Sequence, residues 1–245
     1  MVRRLSREAD LRRQTEPGHN QKTGKIHGAT PSHLHIEENN TLFKVPALSG
    51  QKTGWFYDHR NNRALLQTWC ANKRVLDLFS YVGAWGVALA KAGASEVVCI
   101  DASQMAIDCL KENAILNNVQ DKITTRCEDA FDALRNLADT NQKFDLIVLD
   151  PPAFIKRKKD LDAGITAYQR LATMAIKLLN PKGMLIFASC SMHLSQEQLI
   201  NIVRRSSSTL NQAVKIIAQG SQGYDHPIHP AIPETQYLKT VFCVI

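Results

Sequence analysis

Four aspartates stand where apolar runs end. Asp77 closes "RVLD", Asp101 closes "EVVCID", Asp129 follows "KITTRCE", and Asp150 closes "FDLIVLD". Carboxylates at strand ends accept hydrogen bonds from a ligand lying across the sheet edge. Asp101, twenty-four residues after Asp77, is spaced to hold ribose hydroxyls. Asp129, in "CEDAF", is within reach of an adenine amino group. Asp77 is badly sited for a pyrophosphate and well sited for a ligand carrying an ammonium and a sulfonium. Gly83 and Gly86, in "DLFSYVGAWG" (77–86), let backbone approach a ligand, although the pattern is not GxGxxG and also suits close helix–strand packing. Each acid alone also fits a helix N-cap, Asp129 above all. Taken together, and without a phosphate cradle, they point to S-adenosylmethionine rather than a dinucleotide.

Cys190 adds a second kind of chemistry. It lies in "SCS" (189–191) just past the run "GMLIFA", between two hydroxyl residues and level with the strand that ends in Asp150. A thiolate nucleophile belongs in such a place, whereas most free cysteines are inert core residues. Cys99, Cys109, Cys127 and Cys243 fall inside strand or helix patterns and are expected in the core. In "DPPAF" (150–154), Pro151 and Pro152 stiffen the chain after Asp150, and Phe154 is available to stack on an extruded base. Lys156, Arg157, Lys158 and Lys159 follow, suited to phosphates beside the site or simply to a solvated face.

The elements that carry these residues alternate. "RVLDLF", "EVVCID", "KITTRC", "FDLIVLD" and "GMLIFASC" read as strands. "GAWGVALAKAG", "SQMAIDCLKENAILNN" with Ser103 as N-cap, "DAFDALRNLA", a helix from about Ala163 to Leu179, and "SQEQLINIVRRS" read as helices. "AVKIIAQ" and "QYLKTVFCVI" close the chain as strands joined without a helix, which predicts an antiparallel strand at the end of an otherwise parallel sheet. The expected class is α/β, a Rossmann-like methyltransferase fold with a seven-stranded sheet. Before it, "LHIEENNTLFKVPAL" reads as two short strands about Asn39 and Asn40. The expected organisation is a polar basic tail or linker over 1–30, a small β-hairpin element over 31–58, and a methyltransferase domain over 59–245.

The chain has 245 residues, 44% of them hydrophobic, and a formal charge of +7. That size suits one large domain, and the charge favours an anionic partner such as nucleic acid. The first thirty residues hold seven Lys or Arg against three acids and no apolar signal segment. The six cysteines show neither a disulfide framework nor zinc-ligand spacing, and no run is long enough for a membrane span. A reducing cytoplasm is the expected location, with no metal and no membrane partner.

Five segments in order carry a family resemblance: "GQKTGWFYDHR" (50–60), "DLFSYVGAWG", "DPPAF", "SCS" and "DHPIHPAIPETQYLK" (225–239). From about residue 35 onward the chain resembles the RlmI-like bacterial 23S ribosomal RNA cytosine-5 methyltransferases. The resemblance implies a class I methyltransferase domain preceded by a small β-rich element, S-adenosylmethionine as cofactor, and RNA, ribosomal RNA in particular, as substrate. It implies that the segment from Gln51 to Arg60 closes over the cofactor, with Thr53 and Arg60 among the binding residues and Arg60 near the methionine carboxylate. Asp77, Phe79, Ser80, Gly83, Asp101 and Asp129 match cofactor positions, Asp150 matches an active-site position, and Cys190 matches the nucleophile. Members of that family begin with an RNA-binding PUA domain, for which this chain has no room. The expectation is therefore a fragment, or a protein that draws RNA affinity from elsewhere. Two rivals remain open: methylation of a ring or exocyclic nitrogen, commonly on guanine, which needs no thiol, and a non-catalytic RNA-binding module.

Overall fold

The computed structural model describes residues 31–47 and 54–245. The tail expected over 1–30 and the site candidate Thr53 lie outside the described residues. Strands β1 (His33–Glu38) and β2 (Thr41–Pro46) form an antiparallel hairpin. Asn39 and Asn40 turn it with φ of 48° and 61°, the left-handed pair that a two-residue hairpin loop requires and asparagine tolerates. The rest alternates: α1 (Arg60–Gln67), β3 (Arg74–Leu78), α2 (Gly86–Lys91), β4 (Glu96–Asp101), α3 (Gln104–Leu116), β5 (Ile123–Cys127), α4 (Ala130–Asp139) and β6 (Phe144–Leu149). Then come α5 (Leu161–Ile176), β7 (Leu179–Ser189), α6 (Gln196–Thr209), β8 (Lys215–Gly220) and β9 (Lys239–Val244).

Seven of these strands form one sheet in the order β5-β4-β3-β6-β7-β9-β8. β3 to β7 pair in parallel, and β9 runs antiparallel to both neighbours. The order in which strands are added reverses between β3 and β6, and because these strands are parallel the carboxyl ends of β3, β4, β6 and β7 meet along one edge, where ligands bind in open α/β sheets. Buried apolar side chains line both faces, as a parallel sheet covered on both sides demands. Leu76, Leu78, Ile100, Ile147 and Leu149 pack under α4, α5 and α6. Val75, Val97, Leu146 and Val148 pack on the opposite face with Leu66, Val87 and Leu110.

The hairpin joins that second layer through Ile36, Phe43 and Val45. Side-chain amides of α3 and of the residue that caps it cover the edge of β2: Leu42 N–H donates to Asn117 Oδ1 (3.0 Å) and Lys44 N–H to Asn113 Oδ1 (2.7 Å), while Asn117 Nδ2 donates to Leu42 O. An open edge strand is thereby closed to other chains. Buried Glu38 and Arg63 form a bidentate pair at 2.6 and 2.9 Å that ties the hairpin to α1.

Three local expectations shift. The helix read as Ala163 to Leu179 spans Leu161–Ile176, because β7 already begins at Leu179, with Lys182 turning at φ 63° before Gly183. The helix after β3 starts only at Gly86, since left-handed residues occupy the turn before it. Cys127 is exposed rather than in the core, because β5 is the edge strand of the sheet.

Candidate active site

The turn after β3 is built from residues in unusual conformations. Phe79, Tyr81 and Gly83 have φ of 63°, 47° and 89°. Only glycine serves at 83, where an added Cβ would also meet Val87 Cγ2 at 2.7 Å and Leu110 Cγ at 2.8 Å. Asp101 holds this turn from the next strand. Its Oδ2 accepts from Tyr81 N–H at 2.8 Å and its Oδ1 from Ser103 N–H at 2.9 Å. Ser80 N–H donates to Ile100 O. Asp101 thus shapes the cradle as well as standing at the strand end expected for a ribose contact.

Asp77 lies beneath that turn and is fully buried. Its Oδ2 accepts from Gly86 N–H at 2.8 Å, while Oδ1, like buried Ser80 Oγ nearby in sequence, has no hydrogen-bond partner among the described residues. Burial pushes the Asp77 carboxyl well above its ordinary pKa, against the pull of the Gly86 N–H. A buried unpaired carboxylate is costly, and a cationic ligand group would offset that cost. These two orphaned atoms and the left-handed cradle fit S-adenosylmethionine, which carries an ammonium and a sulfonium. Asp129 takes the capping role: its Oδ1 accepts from Phe131 N–H (2.9 Å) and Asp132 N–H (3.3 Å) at the start of α4.

Asp150, at the end of β6, is held by two side chains that the sequence reading did not single out. His59 Nε2 lies 3.3 Å from its Oδ1, and Trp85 Nε1–H donates to Oδ2 at 3.0 Å. Asn62 Nδ2, which donates to Ser221 O at 3.1 Å, is 3.2 Å from His59 Nδ1. His59 thus presents its Nε2 edge to Asp150 and its Nδ1 edge to Asn62. Burial alone would raise the Asp150 pKa, but His59, then Trp85 and Arg63, outweigh it and leave it below the ordinary carboxylate value. Asp150 is an anion oriented at the sheet edge.

Cys190 is half-buried one residue beyond β7. Its two neighbours are pinned. Ser189 Oγ–H donates to Tyr168 Oη at 2.9 Å, Ser191 Oγ lies 2.8 Å from the same oxygen, and Ser191 N–H donates to Ser189 Oγ at 3.2 Å. The same network takes the loop after Asp150, through Phe154 N–H to Tyr168 Oη and Ile155 N–H to Ser191 Oγ, both at 3.4 Å. Tyr168, on α5, thereby sets the Asp150 loop and the Cys190 turn against each other. Phe154 packs its ring on Tyr168, centroids 4.7 Å apart. Lys156, Arg157, Lys158 and Lys159 are exposed, and Arg157 is paired with Asp160. A groove beside them is lined by Pro152, Ala153, Phe154, Lys156 and Gly164.

One wall of the site comes from 54–60 together with the loop between β8 and β9. Gly223 N–H donates to Asp58 O, and Tyr237 Oη–H to Asp58 Oδ2, both at 2.9 Å. Arg60 is half-buried at the start of α1, and its charge acts on Asp225 in that loop. The structure thus brings Arg60, Asp77, Phe79, Ser80, Gly83, Asp101, Asp129, Asp150 and Cys190 to one end of the sheet. It adds His59, Asn62, Arg63, Trp85 and Tyr168. His59 and Trp85 lie inside recognisable motifs; Asn62 and Tyr168 carry no sequence signal, since only folding brings them there.

A central parallel sheet with one inserted antiparallel strand, strand-end acids and a left-handed turn after the first parallel strand define a class I methyltransferase. The model of the S-adenosylmethionine-dependent methyltransferase family matches residues 10–221, and the chain belongs to that family. Its curated relatives include the ribosomal RNA large subunit methyltransferase I of Aeromonas salmonicida, 38% identical over 94% of this chain and 59% of that protein. The protein of the same name from Tolumonas auensis is 36% identical over the same shares. The chain therefore spans about six-tenths of the length of these relatives. Among solved structures, a chain assigned as a methyltransferase and complexed with SAH superposes with a TM-score of 0.82 at 22% identity, over 91% of this chain and 58% of that one. A Streptococcus mutans chain assigned as a SAM-dependent methyltransferase gives 0.80 at 23% identity, over 90% and 57%. At those identities the likeness speaks for the fold. Among the described residues no helix is long and apolar enough to cross a membrane.

Proposed function

We propose that the chain methylates the 5-carbon of a cytosine in RNA, ribosomal RNA being the substrate class that its relatives' names supply. The observation carrying this reading is the Cys190 turn: a half-buried thiol between two serines that Tyr168 holds, at the strand end next to that of an oriented aspartate. S-adenosylmethionine supplies a methyl group made electrophilic by its sulfonium. Asp77 and Ser80 would meet its polar end, Asp101 its ribose, Asp129 its adenine, with Thr53, Arg60, Phe79 and Gly83 completing the enclosure. The chain's own work is on the base. The 5-carbon of cytosine is a weak nucleophile until the Cys190 sulfur bonds to the 6-carbon and drives the ring electrons toward carbon 5. Asp150, held by His59 and Trp85, accepts a hydrogen bond from the base's amino group, or from its ring nitrogen once that is protonated in the adduct. Once carbon 5 has been alkylated and has given its proton to solvent, the electron pair of that bond expels the thiolate and restores the ring double bond.

The test is trapping. RNA containing 5-fluorocytosine should give a covalent complex, because fluorine blocks the final proton loss. Cys190→Ala should lose both complex and turnover while keeping S-adenosylmethionine binding. A Cys190→Ala protein that methylates at the wild-type rate would move the reading to a ring or exocyclic nitrogen.

A further inference from the structure

Lys239 opens β9 and is 6% exposed. It is the cross-strand partner of Ser189, the residue before Cys190. Its Nζ donates to Ser191 O at 2.7 Å, the carbonyl just after Cys190, and to Tyr237 O at 2.8 Å. Among the described residues no carboxylate forms an ion pair with it. A buried ammonium without a counterion is expensive. Two carbonyls could be bridged at lower cost by a neutral amide, so their hydrogen bonds do not account for a charge here. The ionisable group whose charge acts on Lys239 is Cys190.

Resting on the cytosine-5 reading above, we propose that the Lys239 ammonium is the countercharge of Cys190. It stabilises the sulfur as a thiolate ready to attack and makes Lys239 a positioning residue of the reaction. The pair explains itself in both directions: the thiolate compensates a cation buried without a carboxylate, and the cation favours the anionic nucleophile. Burial lowers the Lys239 pKa to about 8, and Cys190 pulls it back up. Asp150 stands as an anion at the neighbouring strand end; the other titratable groups around the thiol are Tyr168 from α5, its pKa raised by burial, and Tyr237 from the β8–β9 loop, raised by burial and by its neighbour Asp58. Both tyrosines are neutral near pH 7, which leaves Lys239 as the cation among them.

The test reads the thiol without RNA. The rate of iodoacetamide alkylation at the Cys190 peptide is followed by mass spectrometry against pH in the wild type, Lys239→Arg, Lys239→Gln and Lys239→Met. Gln retains a hydrogen-bond donor for the carbonyls but no charge. The alkylation midpoint should rise by at least one unit in the Gln and Met variants, with about a tenfold lower rate at pH 7. Arg should keep the wild-type midpoint. A wild-type midpoint in folded Lys239→Gln overturns the proposal. Should the neutral variants fail to fold, the wild type decides alone: a Cys190 midpoint no lower than that of exposed Cys127 in the same chain overturns it too. If Cys190→Ala still methylates RNA, the cytosine-5 reading falls, whereas the charge pairing, read by alkylation, stands.

Discussion

Replacing Arg63 by Met should destabilise the fold by about 3–5 kcal/mol, the usual cost of stripping one partner from a buried ion pair. Arg63 is 2% exposed and Glu38 4%. The guanidinium gives Glu38 two hydrogen bonds, a third to Phe56 O at 2.7 Å, and sits 5.0 Å from the Trp55 ring centre. In Arg63→Met, Glu38 keeps only the Trp55 Nε1–H at 3.1 Å among these donors, so a carboxylate stays buried with most of its compensation gone. Replacing both residues by Met should recover most of the loss, because no charge is left to desolvate. The assay is urea unfolding followed by tryptophan fluorescence, since Trp55 and Trp85 both flank the guanidinium. A single mutant costing under about 1 kcal/mol, or a double mutant no better than the single, would refute the reasoning. Arg63 also lowers the pKa of Asp77 and Asp150, so the double mutant should regain stability without regaining full cofactor affinity.

Asp101→Ala should weaken S-adenosylmethionine binding by about 1.5–3 kcal/mol in a calorimetric titration, through lost ligand contacts and release of the Tyr81 turn; unchanged affinity in a folded protein would remove Asp101 from the site. Neutralising Lys156, Arg157, Lys158 and Lys159 together should flatten the salt dependence of RNA binding, by up to about 0.7 in log–log slope per lost phosphate contact, with cofactor affinity unchanged. An unaltered slope would return the run to solvated surface. Lys239 is held at about 8 in the folded protein against an ordinary 10.5, so between those values the unfolded chain binds the extra proton. Stability relative to Lys239→Met should therefore rise as pH rises from about 8 to 10.5, by up to about 3 kcal/mol. Denaturant midpoints at pH 7.5 and 10 measure it, and parallel curves would contradict the burial argument.

Strand-end acids are legible because an apolar run ending in a carboxylate is a local pattern. Asp77, Asp101, Asp129 and Asp150 all stand where such runs predicted. Local pattern also explains the hairpin turn at Asn39 and Asn40 and the Ser103 and Ser195 caps. What it cannot convey is which side chain from elsewhere completes a group. His59 reaches Asp150 across 91 positions of sequence, and Lys239 reaches the Cys190 turn only because β9 inserts between β7 and β8. Cys127 is exposed because β5 is the edge strand on the far side of the sheet, and strand order, not residue type, decides which strand that is. Asp129 shows the reverse, a residue whose capping bonds are readable from its place just before α4.

The contacts that close the mouth of the site join distant parts of the chain. Tyr237 meets Asp58, Asn62 meets Thr240, and Asn62 meets Ser221, at separations of 179, 178 and 159 residues. The Asp101 contact that shapes the cofactor turn spans 20. Loop-closure entropy grows with the logarithm of the span, so each mouth contact costs about 2 kcal/mol more to close than the cofactor turn. Contacts of long range also form slowly. The turn that cradles the cofactor is thus expected to be complete before the walls of the mouth are closed over it.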